Sequence, residues 1–173
     1  MGSIIKVNEY KDFGNNAIMT SDGAGGVTPN AQGLQTTPFF ARYNTAQAVA
    51  NATETVLQFA NNIVDNGADW DSTNYRWIPQ ASGTYFIYAY IAFDDDSDFD
   101  IAQVRIRKNG SDRIAEGQAR SEFKGTHYGF AMVSLNGTTD YVDCTAYHEE
   151  GGSVNVGNGT EYVTNFGGYR MIS

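Results

Sequence analysis

The chain has 173 residues, a formal charge of −9 and only 18% charged residues, which suits one domain with a short appendage. That acidic balance argues against a nucleic-acid partner, whose binders show a basic patch, and against an anionic membrane surface. No window approaches the roughly 20 apolar residues of a membrane helix, and Cys144 is the only cysteine, so there is no intrachain disulfide framework. The N-terminus lacks the apolar run of a signal peptide. The expectation is a protein made in a cytosol, with no membrane insertion, or one that leaves the cell without the usual signal.

Residues 1–30 read as short pieces divided by turns. Ile4–Val7, Ala17–Thr20 and Val27–Thr28 are extended candidates, separated by the turn signals Asp12–Asn16 and Ser21–Gly26. They are too short and polar to build a core alone, because a hairpin without a partner surface is marginal in water. They read as an attachment arm, with Ile4, Ile5, Val7, Phe13 and Ile18 as its apolar contacts. Residues 31–38 are a linker by composition, and residues 39–173 form the main domain.

The main domain opens on Phe39–Tyr43. Residues 46–52 read as strand or loop, since so short an Ala-rich run is a marginal helix. Thr55–Phe59 is a strand, 62–73 a loop, and Tyr75–Ile78 a brief strand ahead of Pro79. Gly83–Phe93 is a long apolar run in which Tyr85, Ile87, Ala89, Ile91 and Phe93 share one face and Phe86, Tyr88, Tyr90 and Ala92 the other. Both faces are apolar. One can fill a core, and the second needs another covering layer or another chain.

Ile101–Lys108 alternates again, with Gln103, Arg105 and Arg107 opposite Ala102, Val104 and Ile106, and closes on the hairpin signal Asn109–Gly110. Arg113–Gly117 is a short return strand, Tyr128–Leu135 a long one, and Tyr141–Tyr147 and Tyr162–Ile172 follow around a Gly/Asn loop at 151–159. No amphipathic helix stands out. Short strands at regular spacing with turns between them predict an all-β sandwich or barrel.

Chemistry is sparse. There is no Gly-x-Ser-x-Gly elbow, P-loop or dinucleotide fingerprint, so the expectation is no enzyme. Cys144 shares a face with Val142 and Ala146 and reads as a small core residue. His148 beside Glu149 and Glu150 reads as a polar loop cluster. The four Asn-x-Ser/Thr sequences, three of them Asn-Gly, read as turns. The one candidate ion site is the acidic stretch Asp94, Asp95, Asp96, Asp98 and Asp100, whose carboxylates suit calcium. It is not an EF-hand, because Phe99 and Arg105 stand where that loop needs Gly and Glu. The competing reading is a solvated loop held extended by its own charge.

Asn74-Tyr-Arg-Trp-Ile-Pro79 followed by Ser82-Gly-Thr-Tyr-Phe86, then Lys108-Asn-Gly110, then Phe166-Gly-Gly-Tyr169 resemble the motifs of the C1q/tumour-necrosis-factor jelly-roll superfamily over about residues 39–173. Trp77 stands where Phe is commoner, and no collagen stalk precedes the domain. The resemblance implies a ten-stranded jelly-roll sandwich and a homotrimer whose axis is faced by Phe86, Tyr88 and Tyr90, with Phe166 of the closing strand beside them. Ile5-x-Val7, Asp12-x-Gly-x-Asn-x-Ile18 and Ser21-Asp-Gly-x-Gly25 are similar to leaders of tailed-bacteriophage structural proteins. Together the two resemblances imply a non-enzymatic virion protein, assembled in the host cytoplasm and displayed on the virion surface. It would be a capsid decoration or cement protein bound to the major capsid protein or another virion protein. The alternatives are a fibre-tip adhesin for a host-surface glycan or protein, and a secreted C1q-like binding module.

Overall fold

A computed structural model describes residues 9–29, 38–42, 45–94, 99–121, 126–157 and 164–171. They fall into two compact units, 9–29 and 38–171. Ile4, Ile5, Val7, Asp95, Asp96 and Asp98 lie outside the described residues, as does the side chain of Asp100.

The first unit is an antiparallel meander of β1 (Glu9–Lys11), β2 (Ala17–Ser21) and β3 (Val27–Pro29), where the sequence pointed to an extended arm. Its turns carry it. The Asp12 carboxylate accepts from the Asn16 backbone N–H at 2.8 Å, and Asp22 Oδ1 accepts from the Ala24 and Gly26 N–H groups at 2.7 and 2.9 Å. Both are aspartate side chains closing their own loops. Among the described residues no apolar core forms within the meander: Tyr10, Phe13, Ile18 and Val27 are all exposed.

The second unit comprises β4 (Phe39–Arg42), β5 (Gln47–Val49), β6 (Thr55–Val56), β7 (Asn61–Asp65), β8 (Trp70–Asp71), β9 (Arg76–Trp77), β10 (Gly83–Asp94), β11 (Phe99–Lys108), β12 (Asp112–Ser121), β13 (Thr126–Leu135), β14 (Val142–His148), β15 (Val154–Val156) and β16 (Asn165–Arg170). It is an all-β jelly-roll sandwich with no helix among the described residues. There are more pieces than the ten expected strands because several last only two or three residues. The stretch 62–73, read as loop, contains most of β7 and all of β8, and β12 runs well past the expected 113–117.

One sheet has the order β5-β15-β10-β16-β4-β7, with β13 also paired to β10. The other has β12-β11-β14-β9-β8, with β6 on β14. The long strand β10 is the hub of the first sheet: β13 pairs along one edge, β16 and β15 along the other. The alternation along β10 sends Tyr85, Ile87, Ala89, Ile91 and Phe93 between the sheets, where all are buried. They meet Ala102, Val104 and Ile106 of β11 and Val142, Cys144 and Ala146 of β14 in one core. Burial pushes the Cys144 thiol well above its ordinary value, so this residue is an inert core side chain.

An aromatic cluster closes one end of that core. Phe39 stacks on Trp77 with centroids 4.4 Å apart, and Tyr85 meets Trp77 edge-on at 5.2 Å. The Tyr85 hydroxyl donates to the Ala81 carbonyl at 2.5 Å, which fixes the turn that launches β10. At the β12/β13 edge the sheets approach closely: a Cβ on Gly117 would lie 2.0 Å from the Tyr128 carbonyl oxygen, so only glycine fits there. Lys108, at the end of β11, donates to the Ser134 carbonyl at 2.8 Å and so covers part of the β13 edge.

Two sequence expectations need correction. Phe166 is fully buried, packed edge-on against Phe39 at 5.1 Å, because β16 pairs so that Phe166 lies opposite Ala89, a core position. It therefore does not lie beside Phe86, Tyr88 and Tyr90. His148 is no loop residue. It ends β14, fully buried, with Nε2 2.9 Å from the Val49 carbonyl.

Candidate functional site

Among the described residues of the second unit, the outer side of the β10 sheet is apolar yet uncovered. Along β10 it carries Phe86, Tyr88 and Tyr90. Pairing places Met132, Phe130 and Tyr128 of β13 opposite them on one flank, and Tyr169, Gly167 and Asn165 of β16 on the other. Strand alternation puts these side chains on one face. Phe86 sits in the middle of an aromatic group, with its centroid 6.3 Å from Phe130, 5.6 Å from Tyr169 and 6.5 Å from Tyr88.

Two depths are present on this face. Phe86, Tyr88 and Tyr90 are half-buried between their flanking strands. Tyr88 lies over Gly167, where an added Cβ would stand 2.6 Å from the phenol oxygen. That burial pushes the Tyr88 phenol above its usual value. The β13 row is open instead: Tyr128, Phe130 and Met132 are 66%, 63% and 69% exposed. Of the four residues expected on this face, Phe86, Tyr88 and Tyr90 are brought together and Phe166 is not. Tyr169 takes the place expected of Phe166, and the β13 row is an addition.

The outer side of the second sheet is the reverse. Arg105 donates to Glu54 at 2.7 Å and to Glu116 at 3.0 Å. Arg107 is paired with Asp143 at 2.8 Å through two parallel bonds and reaches Glu54 at 3.2 Å. Arg113 and the Thr145 hydroxyl also donate to Glu54, at 2.8 and 3.1 Å. Burial alone would raise the Glu54 carboxyl, but the bonds from Arg113 and Thr145 and the charge of Arg105 hold it below its ordinary value. Gln103 donates to Glu116 and Gln118, and the Arg105 guanidinium lies 4.7 Å over the Tyr147 ring. This face satisfies itself within one chain.

Other expected sites are dispersed. Phe13 and Ile18 are exposed on the meander, joined by Tyr10 and Val27, which the sequence reading passed over. Asp94 ends β10 opposite Asn155. Among the described residues no group of three His, Cys, Asp or Glu side chains is placed to hold a metal ion.

No family profile matches this sequence, and no curated protein matches it. Solved structures do. Murine APRIL, crystallised at pH 8.0, superposes with a TM-score of 0.61 at 11% identity, over 79% of this chain and 100% of that one. The globular domain of zebrafish complement 1qA gives 0.56 at 11% identity, over 78% and 97%. The Eiger TNF of S. frugiperda gives 0.53 at 11% identity, over 79% and 91%. At such identities the likeness establishes the fold: a C1q/TNF-like jelly roll.

Proposed function

We propose that this chain is a non-enzymatic structural protein of a bacteriophage virion, working as a homotrimer. Its jelly rolls associate through the aromatic face, and residues 1–30 dock the trimer on the major capsid protein or another virion protein as a decoration or cement protein. One observation carries the self-association: Tyr128, Phe130 and Met132 stand open beside Phe86, Tyr88 and Tyr169 on one contiguous face. A soluble monomer rarely exposes an apolar patch beyond a few hundred Å². Three copies of such a face would bury on the order of 2,000 Å² or more in total. The trimer implied by the C1q/TNF resemblance supports the same reading, and the resemblance of residues 5–25 to phage leaders supports the virion setting. The exposed Tyr10, Phe13, Ile18 and Val27 give the arm apolar groups for docking.

A fibre-tip adhesin would use the same trimer. A secreted C1q-like binding module is a second reading, favoured by the likeness to the zebrafish complement domain. Quantitative mass spectrometry of purified particles separates them: hundreds of copies per particle mean decoration, a few dozen or fewer mean a fibre, and absence from particles leaves the secreted module. Deleting residues 1–30 should leave a soluble trimer that no longer binds particles. A truncated protein that aggregates or is monomeric would show that the arm belongs to the fold.

A further inference from the structure

The sequence holds Asn-Gly pairs at 66–67, 109–110, 136–137 and 158–159, the last of them outside the described residues. In each pair the glycine nitrogen can close a five-membered ring on the asparagine side-chain carbonyl carbon, and glycine puts no Cβ in the way. How readily the ring closes depends on how firmly the amide is held.

Two of the pairs are held. Asn109 Nδ2 donates to Asp140 at 2.9 Å, and its Oδ1 accepts the Tyr141 N–H at 3.0 Å. Asn136 Oδ1 accepts the backbone N–H groups of Thr138, Thr139 and Asp140 at 3.0, 2.9 and 2.9 Å, and its Nδ2 donates to the Thr139 hydroxyl at 2.8 Å. Turning either amide onto its glycine breaks those bonds. The Asn66 side chain is exposed and makes no hydrogen bond among the described residues. The Gly67 N–H has no acceptor there either.

The same turn brings up a buried carboxylate. Asp65 caps it, accepting the Asp69 and Trp70 N–H groups at 3.0 and 3.1 Å, while the Ala68 N–H donates to the Asp65 carbonyl at 3.2 Å. Asp69 thereby folds back over Gly67: a Cβ added at Gly67 would stand 2.7 Å from the Asp69 carboxyl carbon and 3.0 Å from Oδ1. Asp69 is 6% exposed, and its Oδ1 has no hydrogen-bond partner among the described residues. Buried polar atoms are ordinarily paired, and this one is left open over the α-carbon of Gly67, one bond from its nitrogen. Burial raises the Asp69 carboxyl above its ordinary value, and the Asp65 charge adds to that against the Gln80 N–H it accepts. It is therefore a stronger base than an exposed aspartate.

We propose that Asn66–Gly67 is a site of self-modification, at which Asp69 acts as general base for closure of a succinimide. The Gly67 nitrogen bonds to Asn66 Cγ as its proton passes to Asp69 Oδ1. That proton then goes to the departing amide nitrogen, the Cγ–Nδ2 bond breaks and ammonia leaves. Water opens the ring at either carbonyl and leaves an aspartyl or an isoaspartyl linkage. One water enters and one ammonia departs, with no change of oxidation state. The product sets a new carboxylate beside Asp65 or adds a methylene to the backbone, and either weakens the β7–β8 turn.

Peptide-resolved mass spectrometry tests this on the full-length protein, sampled over weeks at neutral pH, with the same protein held in urea as reference. In the folded protein Asn66 should convert at least about tenfold faster than the hydrogen-bonded Asn109 and Asn136. It should also convert faster than it does in urea, where the three pairs react alike. Asp69→Asn keeps the shape of the side chain and removes the base. It should slow the folded reaction at Asn66 at least about tenfold, a modest share of what a positioned base supplies, and leave the urea rate unchanged. Circular dichroism checks the fold of that variant, and if it does not fold, the folded and urea rates of the unaltered protein decide. Conversion at Asn66 no faster folded than in urea, conversion at Asn109 or Asn136 as fast as at Asn66, or a folded Asp69→Asn protein that converts at the same rate would overturn the proposal.

Discussion

On β11 the outward residues Gln103, Arg105 and Arg107 all find partners in the same chain, and Glu54 alone gathers three guanidiniums and a hydroxyl. On β10 the outward residues Phe86, Tyr88 and Tyr90 meet one another, Gly167 and Tyr169 of β16, and the open row of β13. Both strands alternate, both feed the same core, and both cover it with a second layer of side chains. The difference lies in what completes that layer. Charged groups can close a hydrogen-bond network within one protomer, and once closed it asks for nothing further. Aromatic groups have no such closure: water remains against them until another surface displaces it. The first face is complete within a protomer, and the second is the surface on which the proposed association rests.

The sharpest way to break this comparison is Phe130→Asp. Phe130 is 63% exposed in one protomer, so a carboxylate there costs the isolated fold little. Inside an apolar interface an unpaired charge costs several kcal/mol per ion, repeated in every copy. We expect complete dissociation at micromolar concentration with unchanged circular dichroism. Tyr88→Asp should dissociate the assembly as well. A folded, still-associated Phe130→Asp protein would take β13 out of the interface.

Next in size is the pair Phe166→Ala and Tyr169→Ala. These residues flank the same two glycines but face opposite sides of β16. Phe166→Ala opens a cavity among Phe39, Phe59 and Trp70 and should cost the protomer about 3–5 kcal/mol in denaturant unfolding. Tyr169→Ala should leave protomer stability nearly intact and weaken association only. Equal losses of stability in both would blur the division between core and face.

Acid should strike at the seam between the sheets before it reaches the charged face. The buried His127 imidazole has its proton affinity pulled down from 6.5 to about 4. Between those values the unfolded chain binds a proton that the folded chain does not, so stability rises with pH across this window and falls on acidification. The loss from pH 7 to pH 4 should reach at most about 3 kcal/mol, and His127→Phe should remove it. Glu54 works in a lower window. Its folded carboxyl is held below 4.5, so its contribution is fully present above that value and is lost as pH falls through the folded one.

The smallest effect is Glu54→Ala, about 2 kcal/mol in thermal or denaturant unfolding. Arg105 and Arg107 keep Glu116 and Asp143, and Arg113 is largely solvated, which limits the cost. Association should not change. A Glu54→Ala protein that dissociates would mean that the charged face also meets a partner.

Much of this was legible in residue order. The alternation of Ile101–Lys108 states which side of that strand is core, and the structure buries Ala102, Val104 and Ile106. Along Gly83–Phe93 alternation separates two apolar faces, the resemblance says which looks outward, and the structure buries Tyr85, Ile87, Ala89, Ile91 and Phe93. Register was not legible. Phe166 and Tyr169 are three positions apart on one strand and must face opposite ways, but nothing local says which looks outward. The answer comes from the pairing of Phe166 with Ala89, a long-range fact. The row Tyr128, Phe130 and Met132 alternates visibly in the sequence, yet its meaning depends on β13 pairing with β10, which no local signal specifies. His148 was within reach: it continues the period of Val142, Cys144 and Ala146, and its two acidic neighbours hid the strand.

Sedimentation equilibrium on the intact protein, across micromolar concentrations and in low and high salt, tests the central claim most directly. An interface made of aromatic contacts should give a mass three times that of one chain, unchanged by salt, since screening acts on exposed charges and not on apolar burial. A single-chain mass throughout that range would contradict the account, because the aromatic face would then be stable against water on its own.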